Sequence, residues 1–325
     1  MTGPRHFGLL TSGGDSPGMN AAIRAVVRTA SVNGARVTGF VGGYAGLVND
    51  RTRLLGPRDV SNIIQRGGTM LHTARSAEFL TTEGRTRAAE VVRRHGIDGL
   101  VVIGGDGTFA GADVLFQEHG IPAVGIPGTI DNDLSGTDRS IGYDTAINTA
   151  VEAIDRIRDT ASSHDRLFFV EVMGRDSGAI ALDCAVAAGA EFVLVPEREE
   201  STEQLIRAIL GADGTKSSSI VVVAEGEIEG GAFVVAQRVK ERLPSKDIRV
   251  TVIGHVQRGG SPTVNDRVLA SRLGVAAVGS LLRGEHGGMV GMINGQVAFT
   301  PFRDAIQGKR ELDPELFRVL NILAT

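Results

Sequence analysis

The feature that most constrains the fold of this chain is the alternation of short apolar, β-branched runs with longer segments of helical period. Such alternation is typical of βα units that build a mostly parallel sheet. It predicts strands over residues 6–11, 36–41, 99–103, 123–126, 167–172, 192–195, 220–224, 250–253 and 290–293. It predicts helices over residues 20–32, 83–95, 108–118, 144–160, 177–188, 202–210, 232–243 and 265–282. The fold class that we expect is therefore α/β, doubly wound.

Length and composition indicate a globular chain with a large core. The chain has 325 residues, 42% of them hydrophobic, and this length is above what one core usually serves. We therefore expect two lobes. It also contains 44 glycines, which is about twice the usual share. Because there are only 10 prolines and no every-third-residue period, the chain is neither collagen-like nor disordered.

The sequence predicts neither export nor membrane insertion. Its start, MTGPRHFGLLTSGG, lacks a basic run followed by an apolar stretch, and no apolar run approaches the roughly 20 residues that span a bilayer. The single cysteine, Cys184, lies in an apolar run typical of a core and excludes an intrachain disulfide. We therefore expect a cytoplasmic protein without a membrane partner.

Charge also limits the partners of this chain. The net charge is −4 from 34 basic and 38 acidic side chains, with no basic block of the kind that binds nucleic acid. We therefore expect no nucleic-acid partner, and any anionic ligand must be held by locally placed arginines. The tetrapeptide Gln-Arg-Gly-Gly occurs twice, at residues 65–68 and 257–260, through either chance or an old duplication.

Polar and glycine-rich segments follow six of the predicted strands. In chain order they are SGGDSPG, GGDGT, PGTIDND, MGR, Glu225 and HVQRGG. In doubly wound folds ligands bind outside the carboxyl ends of the strands. We therefore expect these six segments to cluster at one rim of a sheet.

Two of these segments are glycine loops that connect a strand to a helix, Gly13-Gly14-Asp15 and Gly104-Gly105-Asp106-Gly107. Glycines there let backbone N–H groups approach a phosphate at a helix amino terminus. For either loop alone a tight turn with positive φ explains the glycines, but two copies favour phosphate. Neither loop has the GxxxxGK[ST] or GxGxxG spacing, so a nucleotide site must be of another type.

Carboxylates and arginines complete the candidate site. Asp131, Asp133 and Asp106 follow neighbouring strands, where they could anchor turns, ligate Mg²⁺ beside phosphates or accept a proton from a hydroxyl. Arg175 and Arg258 follow strands of the second half and suit phosphate oxygens, although single arginines are usually only solvated. The seven histidines have no metal-ligand spacing.

Taken together, the chain from about residue 6 to about residue 302 resembles the bacterial ATP-dependent 6-phosphofructokinase family. The segments that carry the resemblance are TSGGDSPGMNAAIR, RGGTMLHTAR, VVIGGDGT, PGTIDND, EAIDRIRDTASSH, EVMGR, GHVQRGG and DRVLASRLG. The resemblance implies transfer of the γ-phosphoryl group of ATP to the 1-hydroxyl of fructose 6-phosphate, with Mg²⁺. That reaction depends mainly on positioning and charge neutralisation.

The resemblance also implies roles for individual residues. ATP would be bordered by Gly14, Arg75, Ser76, Gly105, Asp106, Gly107 and Thr108, with Asp106 as the Mg²⁺ ligand. Asp131 would be the catalytic base, with Thr129 and Arg175 on the transferring group. The substrate would also contact Ile130, Met173, Gly174, Glu225, His255, Val256, Gln257 and Arg258, and Arg166 and Arg249 from a neighbouring subunit.

In such a protein the larger, nucleotide-binding lobe would comprise residues 1–142 and 256–306. The smaller, sugar-phosphate-binding lobe would comprise residues 143–255 and 307–325. Each lobe would hold a mostly parallel sheet flanked by helices, and the protein would be a homotetramer with sites shared between subunits.

Three alternatives compete with this activity: pyrophosphate as the donor, a non-catalytic regulatory subunit and a nicotinamide-dependent dehydrogenase. Pyrophosphate-using relatives carry an acidic residue and a lysine where this chain has Gly107 and Gly128, so ATP is favoured over pyrophosphate. A non-catalytic regulatory subunit would have lost catalytic residues, whereas Asp106, Asp131 and Arg258 are present. A nicotinamide-dependent dehydrogenase is disfavoured by the missing GxGxxG spacing.

An effector site for ADP or phosphoenolpyruvate is the least regular part of the resemblance. It would use Arg24, Arg28, Arg158, Glu191 and Lys216. The basic stretch around Lys216 keeps one lysine where relatives often have several basic groups, and residues 56–58 align poorly.

Overall fold

A computed structural model describes residues 5–161, 166–198, 202–211, 218–308 and 310–324 of the chain. These residues form two compact units. Unit 1 comprises Met1–Ile130, Leu134–Thr145 and Arg258–Arg310, and unit 2 comprises Asp131–Asp133, Ala146–Gln257 and Glu311–Thr325. Among the described helices, none is both long enough and apolar enough to cross a membrane.

The described strands, in chain order, are β1 His6–Thr11, β2 Arg36–Phe40, β3 Thr52–Leu55, β4 Gly99–Gly104, β5 Ala123–Pro127, β6 Arg166–Val172, β7 Phe192–Leu194, β8 Ser218–Ala224, β9 Asp247–Val252, β10 Gly288–Ile293 and β11 Gln296–Pro301. The described helices are α1 Met19–Val32, α2 Gly43–Val48, α3 Thr82–Arg94, α4 Asp106–His119, α5 Tyr143–Ala161, α6 Ala179–Ala187, α7 Thr202–Gly211, α8 Ala232–Arg242, α9 Val264–Arg283, α10 Phe302–Gln307 and α11 Pro314–Leu323. Every predicted strand and helix is present, with ends within three residues of those expected.

Unit 1 is built on a seven-stranded sheet of order β11-β10-β5-β4-β1-β2-β3. The five central strands are parallel, and the two edge strands β3 and β11 are antiparallel to their neighbours. Strand β4 shows why apolar runs without alternation became central strands. Val101 and Ile103 pack with α1 and α9 on one face, whereas Leu100 and Val102 pack with α4 on the other. A strand buried on both faces has no polar side to display.

Unit 2 is built on a four-stranded parallel sheet of order β7-β8-β6-β9. One face of this sheet carries Phe169 and Val221 against α7 and α8, which contribute Leu205 and Val235 to the same core. Helix α5 buries Ala146, Ala150 and Ile154, three members of its predicted apolar stripe. The two sheets confirm the α/β fold class.

The prediction that six strand ends share one rim was wrong. Strands β1, β4 and β5 belong to the sheet of unit 1, whereas β6, β8 and β9 belong to the sheet of unit 2. Neighbouring parallel strands within each sheet still bring three carboxyl ends together. The apolar runs predict strands, but which sheet a strand joins depends on long-range pairing that such runs do not encode.

Candidate active site

Three strand ends meet in unit 1. The N–H of Ser12, just after β1, donates to the carbonyl of Ile103 in β4, at 3.0 Å. The N–H of Gly128, just after β5, donates to the carbonyl of Gly104, at 2.9 Å. Gly13 has a φ of 83°, which is a conformation that favours glycine. These bonds hold the two glycine loops and the start of the PGTIDND segment side by side.

A buried hydroxyl lies among these loops. Thr108, in the first turn of α4, is 3% exposed, and its Oγ1 has no hydrogen-bond partner among the residues that the structure describes. This oxygen lies 2.3 Å from where a Cβ on Gly104 would stand and 3.6 Å from where one on Gly13 would stand. A buried polar atom without a partner is costly, and such atoms often mark a ligand site. The hydroxyl is therefore available to a ligand oxygen at the glycine loops.

Helix α4 begins at this point, with Gly105 as its N-cap residue and Asp106 in its first turn. The helix dipole and the first N–H groups favour an anion there. Among the described residues, no three His, Cys, Asp or Glu side chains are grouped as a ready-made metal site. Mg²⁺ is usually held by one or two carboxylates together with phosphate oxygens. Asp106, which lies beside the glycine loops, could supply such a carboxylate to a Mg²⁺ ion that is also bound by phosphate oxygens.

The two glycines used to infer the donor differ in their surroundings. A Cβ on Gly107 would meet open space. A Cβ on Gly128 would lie 2.9 Å from Cγ2 of Ile103 and 3.3 Å from Cε of Met19. Close packing against Ile103 and Met19 therefore already accounts for the missing side chain at Gly128.

Aromatic packing links residue 76 to the second glycine loop. The Ser76 hydroxyl accepts from the N–H of Phe79, and the Phe79 ring stacks on Tyr44 with centroids 4.0 Å apart. The buried Tyr44 hydroxyl then donates to the carbonyl of Thr108, at 2.6 Å. Tyr44 and Phe79 were not foreseen as site residues, because no sequence motif marks them. Arg75 lies next to Ser76 and is exposed.

The segment after β5 presents the predicted base. Thr129 and Asp131 are 8% and 6% exposed, and Ile130 between them is fully buried. Asn132 has a left-handed φ of 52°. The Ser140 hydroxyl donates to the carbonyl of Thr129, at 2.6 Å. This hydrogen bond from Ser140 thus fixes the backbone at Thr129, two residues before Asp131.

Arg258 lies against the first glycine loop. Its Nη1 is 2.5 Å from the position that a Cβ on Gly14 would take, and it donates to the carbonyl of Asp15, at 3.3 Å. The two Gln-Arg-Gly-Gly copies also meet, since a Cβ on Gly67 would lie 2.2 Å from the carbonyl oxygen of Gly260. Arg258, which was expected at the sugar phosphate, and Gly14, which was expected at ATP, are thus neighbours in unit 1.

The site residues of unit 2 surround the turn after β6. One carboxylate oxygen of Glu225 accepts from the N–H groups of Gly174, at 3.2 Å, and Arg175, at 2.7 Å. The Oε1 of Gln257, whose side chain is fully buried, accepts from the N–H of Met173, at 2.8 Å. Two side chains expected to bind substrate therefore bind the backbone of the turn that carries Arg175.

This turn is strained and tightly packed. Arg175 is an exposed residue with a φ of 58°, a conformation that costs a non-glycine residue on the order of 1–2 kcal/mol. A Cβ on Gly226 would lie 2.1 Å from the carbonyl oxygen of Arg175. The backbone of the next strand end thus approaches as closely as glycine permits. His255 and Val256, in the 3₁₀ helix Gly254–Arg258, are exposed.

Arg166 and Arg249 lie elsewhere in unit 2. Arg166 begins β6 and pairs in register with Asp247 at the start of β9, so both lie near the amino ends of their strands. Arg249 is the third residue of β9. Asp247 binds both guanidinium groups, with Arg166 at 2.8 Å and Arg249 at 3.1 Å. The hydrogen bond from Arg166 lowers the pKa of Asp247.

The expected effector residues divide between the units. Arg24 and Arg28 lie on α1 of unit 1. In unit 2, Arg158 donates to the carbonyls of Ala188 and Gly189 at the end of α6. The Glu191 carboxylate accepts from the N–H of Ile220, at 2.7 Å. Lys216 lies outside the described residues.

Cys184 has no part in either cluster. Its side chain is fully buried in α6, as the apolar run predicted, and burial together with the nearby Asp183 raises the pKa of its thiol. A buried thiol with a raised pKa is inert. This confirms that Cys184 belongs to the core.

A phosphate-binding α/β protein is the class that these features define, because three glycine-bearing strand ends meet at a helix amino terminus. The Phosphofructokinase family model matches residues 6–281. The chain therefore belongs to the phosphofructokinase family. It is 56% identical over 98% of its length, and 99% of the relative's, to the ATP-dependent 6-phosphofructokinase 1 of Thermus thermophilus. It is 53% identical, over 98% of both chains, to the ATP-dependent 6-phosphofructokinase 2 of Bacteroides thetaiotaomicron.

Solved structures give the same result for the fold. Phosphofructokinase from Pichia pastoris in the T-state matches with a TM-score of 0.87 and 35% identity. That match covers 94% of this chain but only 36% of the longer Pichia chain. A pyrophosphate-dependent phosphofructokinase from Nitrosospira multiformis matches with a TM-score of 0.84 at 22% identity, which shows a shared fold alone.

Proposed function

We propose that this protein transfers the γ-phosphoryl group of ATP to the 1-hydroxyl of fructose 6-phosphate, giving fructose 1,6-bisphosphate and ADP, a committed step of glycolysis. The observation that carries the proposal is the meeting of three glycine-bearing strand ends around the Thr108 hydroxyl in unit 1. The high identity to relatives named ATP-dependent 6-phosphofructokinase supports the same activity.

Unit 1 is proposed to bind the nucleotide. The N–H groups at the start of α4 and the Thr108 hydroxyl are donors for phosphate oxygens. Gly107 leaves open space for close approach, and Gly14 would border the nucleotide beside Arg258. Arg75 and Ser76 would border the nucleotide next to the Tyr44–Phe79 stack. Asp106 would hold Mg²⁺, which supplies charge neutralisation on the phosphates when bound.

Asp131 is proposed as the base. Its carboxylate would accept the proton of the sugar 1-hydroxyl as that oxygen attacks the γ-phosphorus, and ADP leaves from the opposite side. Thr129 and Arg175 would contact the transferring group and stabilise its charge. Asp131 is 6% exposed, so its carboxylate is largely removed from bulk water.

Unit 2 is proposed to bind fructose 6-phosphate. The candidates in this unit are Met173, Gly174, Arg175, Glu225, His255, Val256 and Gln257, joined by Arg258 of unit 1. The Glu225 and Gln257 bonds to the 173–175 turn support this assignment, because they preset the guanidinium-bearing turn before substrate arrives.

A donor panel tests the function directly. Formation of fructose 1,6-bisphosphate is measured with ATP, GTP and pyrophosphate at equal concentration, each with and without Mg²⁺. We expect ATP with Mg²⁺ to give the highest kcat/KM. Faster turnover with pyrophosphate would show that pyrophosphate, not ATP, is the donor. Absence of turnover with all three donors would overturn the kinase assignment.

The base is tested by Asp131→Ser. We expect kcat to fall by at least about 100-fold with little change in the KM of either substrate, because a missing base affects the chemical step. Asp138→Asn is a matched control, since the exposed Asp138 lies in the same segment and accepts only from the N–H of Asn294 among the bonds described. Near-normal kcat for Asp131→Ser would exclude Asp131 as the base.

We further propose a cytoplasmic homotetramer in which Arg166 and Arg249 bind the 6-phosphate in a neighbour's site. Their position at the amino ends of β6 and β9, away from the 173–175 turn at the other end of β6, supports a role in another subunit. Light scattering measures the assembly. Mixing inactive Asp131→Ser and Arg166→Ser proteins should restore part of the activity, because some mixed sites carry neither change.

An effector site for ADP or phosphoenolpyruvate is proposed at Arg24, Arg28, Arg158, Glu191 and Lys216. Arg158 and Glu191 have structural partners within unit 2, so an effector must compete with them. The kinase assay with either effector added tests this site. Identical rates with and without both effectors would exclude it.

A further inference from the structure

The DRVLASRLG segment contains a buried carboxylate to which the proposed mechanism gives no role. Asp266 lies in the first turn of α9 and is 1% exposed. Its Oδ1 accepts from the N–H of Gly142, at 2.8 Å. Its Oδ2 accepts from the N–H of Thr145, at 2.8 Å, and from the Thr145 hydroxyl, at 2.5 Å. All three donors belong to the start of α5, more than a hundred positions earlier in the chain.

These bonds make Asp266 a capping residue for a helix other than its own. The first N–H groups of a helix have no partner within the helix, and a carboxylate there is stabilised by the helix dipole. The Thr145 hydroxyl also accepts from the N–H of Thr263, at 3.0 Å. The starts of α5 and α9 are thus joined through bonds in both directions.

Because Asp266 is buried, its carboxylate depends on every hydrogen bond that it accepts from Gly142 and Thr145. Loss of water contacts raises the pKa of Asp266, with a further rise from Asp144, while the bonds from Thr145 and Gly142 lower it. A buried carboxylate is tolerated only where its oxygens are satisfied. Space around it is also filled, since a Cβ on Gly18 would lie 2.6 Å from Cγ2 of Ile141 and 3.6 Å from Cβ of Asp266.

Two further hydrogen bonds connect residues 140 and 141 to the chain next to Asp131. The N–H of Ile141 donates to the carbonyl of Pro127, at 2.9 Å, and the Ser140 hydroxyl donates to the carbonyl of Thr129, at 2.6 Å. Fixing Gly142 therefore fixes the two ends of the 128–142 segment against each other. Asp131 is the second residue after Thr129 along the chain.

We propose that Asp266 is a positioning residue, whose carboxylate holds the start of α5 and thereby orders the segment that presents Thr129 and Asp131. Its effect on turnover rests on the proposed kinase function, whereas its effect on the order of residues 128–142 does not. Asp266 touches no reacting atom and acts through Gly142, Thr145 and Ser140.

The test uses Asp266→Asn in the full-length protein. The amide replaces one acceptor oxygen by an NH₂ group that faces N–H or O–H donors. We expect hydrogen–deuterium exchange in peptides covering 128–142 to rise by about 10-fold or more, while β1 and β4 peptides are unchanged. We expect kcat to fall by about 10- to 100-fold with KM changed by less than about threefold, as for a misplaced catalytic group.

Three further variants separate positioning from general stability. Thr145→Val removes the hydroxyl and should reproduce the Asp266→Asn phenotype, whereas Thr145→Ser should restore exchange and kcat to near wild type. Asp98→Asn is the control, because Asp98 also accepts a backbone N–H in unit 1, that of His6 at 2.7 Å, at the amino end of the sheet. It should leave kcat within about twofold of wild type.

The outcomes are distinguishable. Unchanged exchange over 128–142 in a folded Asp266→Asn or Thr145→Val protein would overturn the proposal, whatever the activity. A kcat loss in Asp98→Asn equal to that in Asp266→Asn would assign the effect to general stability. An inactive wild-type protein would refute the kinase function while the exchange measurement still decides the ordering role. If Asp266→Asn does not fold, the Thr145 pair carries the decision.

Discussion

The guanidinium of Arg258 occupies the space that a side chain on Gly14 would need, with Nη1 2.5 Å from that position. Gly14 has no positive φ, so its backbone accepts alanine without strain. Gly14→Ala should leave the midpoint of thermal unfolding nearly unchanged but should displace Arg258. We expect kcat/KM for the sugar phosphate to fall by about 10- to 100-fold in steady-state assays.

A double-mutant cycle is the control for this prediction. In an Arg258→Gln background no guanidinium remains to be displaced, so Gly14→Ala should add less than about threefold. Full additivity of the two changes would show that Gly14 acts on the nucleotide independently of Arg258.

Glu225 allows two roles to be separated, contact with substrate and support of the 173–175 turn. Its Oε1 is an acceptor that glutamine keeps, whereas alanine leaves the N–H groups of Gly174 and Arg175 without their partner. We expect Glu225→Gln to keep kcat within about fivefold and Glu225→Ala to lose about 10- to 100-fold. Equal damage by both, measured in the same assay, would show that the charge itself binds substrate.

His6 should make stability depend on pH. Burial, followed by the nearby Arg36, lowers the pKa of His6 below its ordinary value of 6.5. The unfolded chain then binds more protons than the folded one between the two pKa values. The stabilisation is therefore complete above about pH 6.5 and is lost as pH falls through the lowered value. Urea unfolding from pH 5 to pH 8 measures this loss.

The variant for that test is His6→Gln, which should flatten the pH profile of stability. The exposed His286→Gln is its matched control for loss of an imidazole. A wild-type slope retained in His6→Gln would assign the acid sensitivity to other groups.

Cys184 should be unreactive in the folded protein. Its buried thiol has a raised pKa, and only the thiolate attacks disulfide reagents. We expect no colour with Ellman's reagent under native conditions at pH 8, and one equivalent per chain after unfolding in guanidinium. Release of one equivalent within minutes under native conditions would contradict the buried position.

Sequence patterns predicted the parts of the fold whose signal is local. Apolar runs predicted β1 and β4 because both faces of these strands are buried. Gly34, Gly96 and Gly120 follow helices with positive φ, where a glycine in the sequence is an ordinary sign of a helix end. The edge strands β3 and β11 were missed because most of their residues are exposed and no apolar run marks them. The short helices α2 and α10 have too few residues for a helical period to be visible.

The site was predictable where chemistry follows a strand end and not where it depends on distant partners. The glycine loops and Thr108 were expected at phosphate and do lie together. The backbone bonds of Glu225 join residues about 50 positions apart, and those of Asp266 join residues 121 and 124 positions apart. No local pattern encodes such pairing, because it exists only once the sheet order and helix packing are set.

The division of unit 1 along the chain has a consequence for biosynthesis. Helix α1 packs on α9, and β5 pairs with β10. Both α1 and β5 are therefore synthesised well before these partners, which lie beyond residue 263. The ribosome releases residues 146–257 of unit 2 before those partners emerge. The part of α1 that packs on α9 therefore stays uncovered during most of translation, and a chaperone should be needed at that surface until the last 60 or so residues appear.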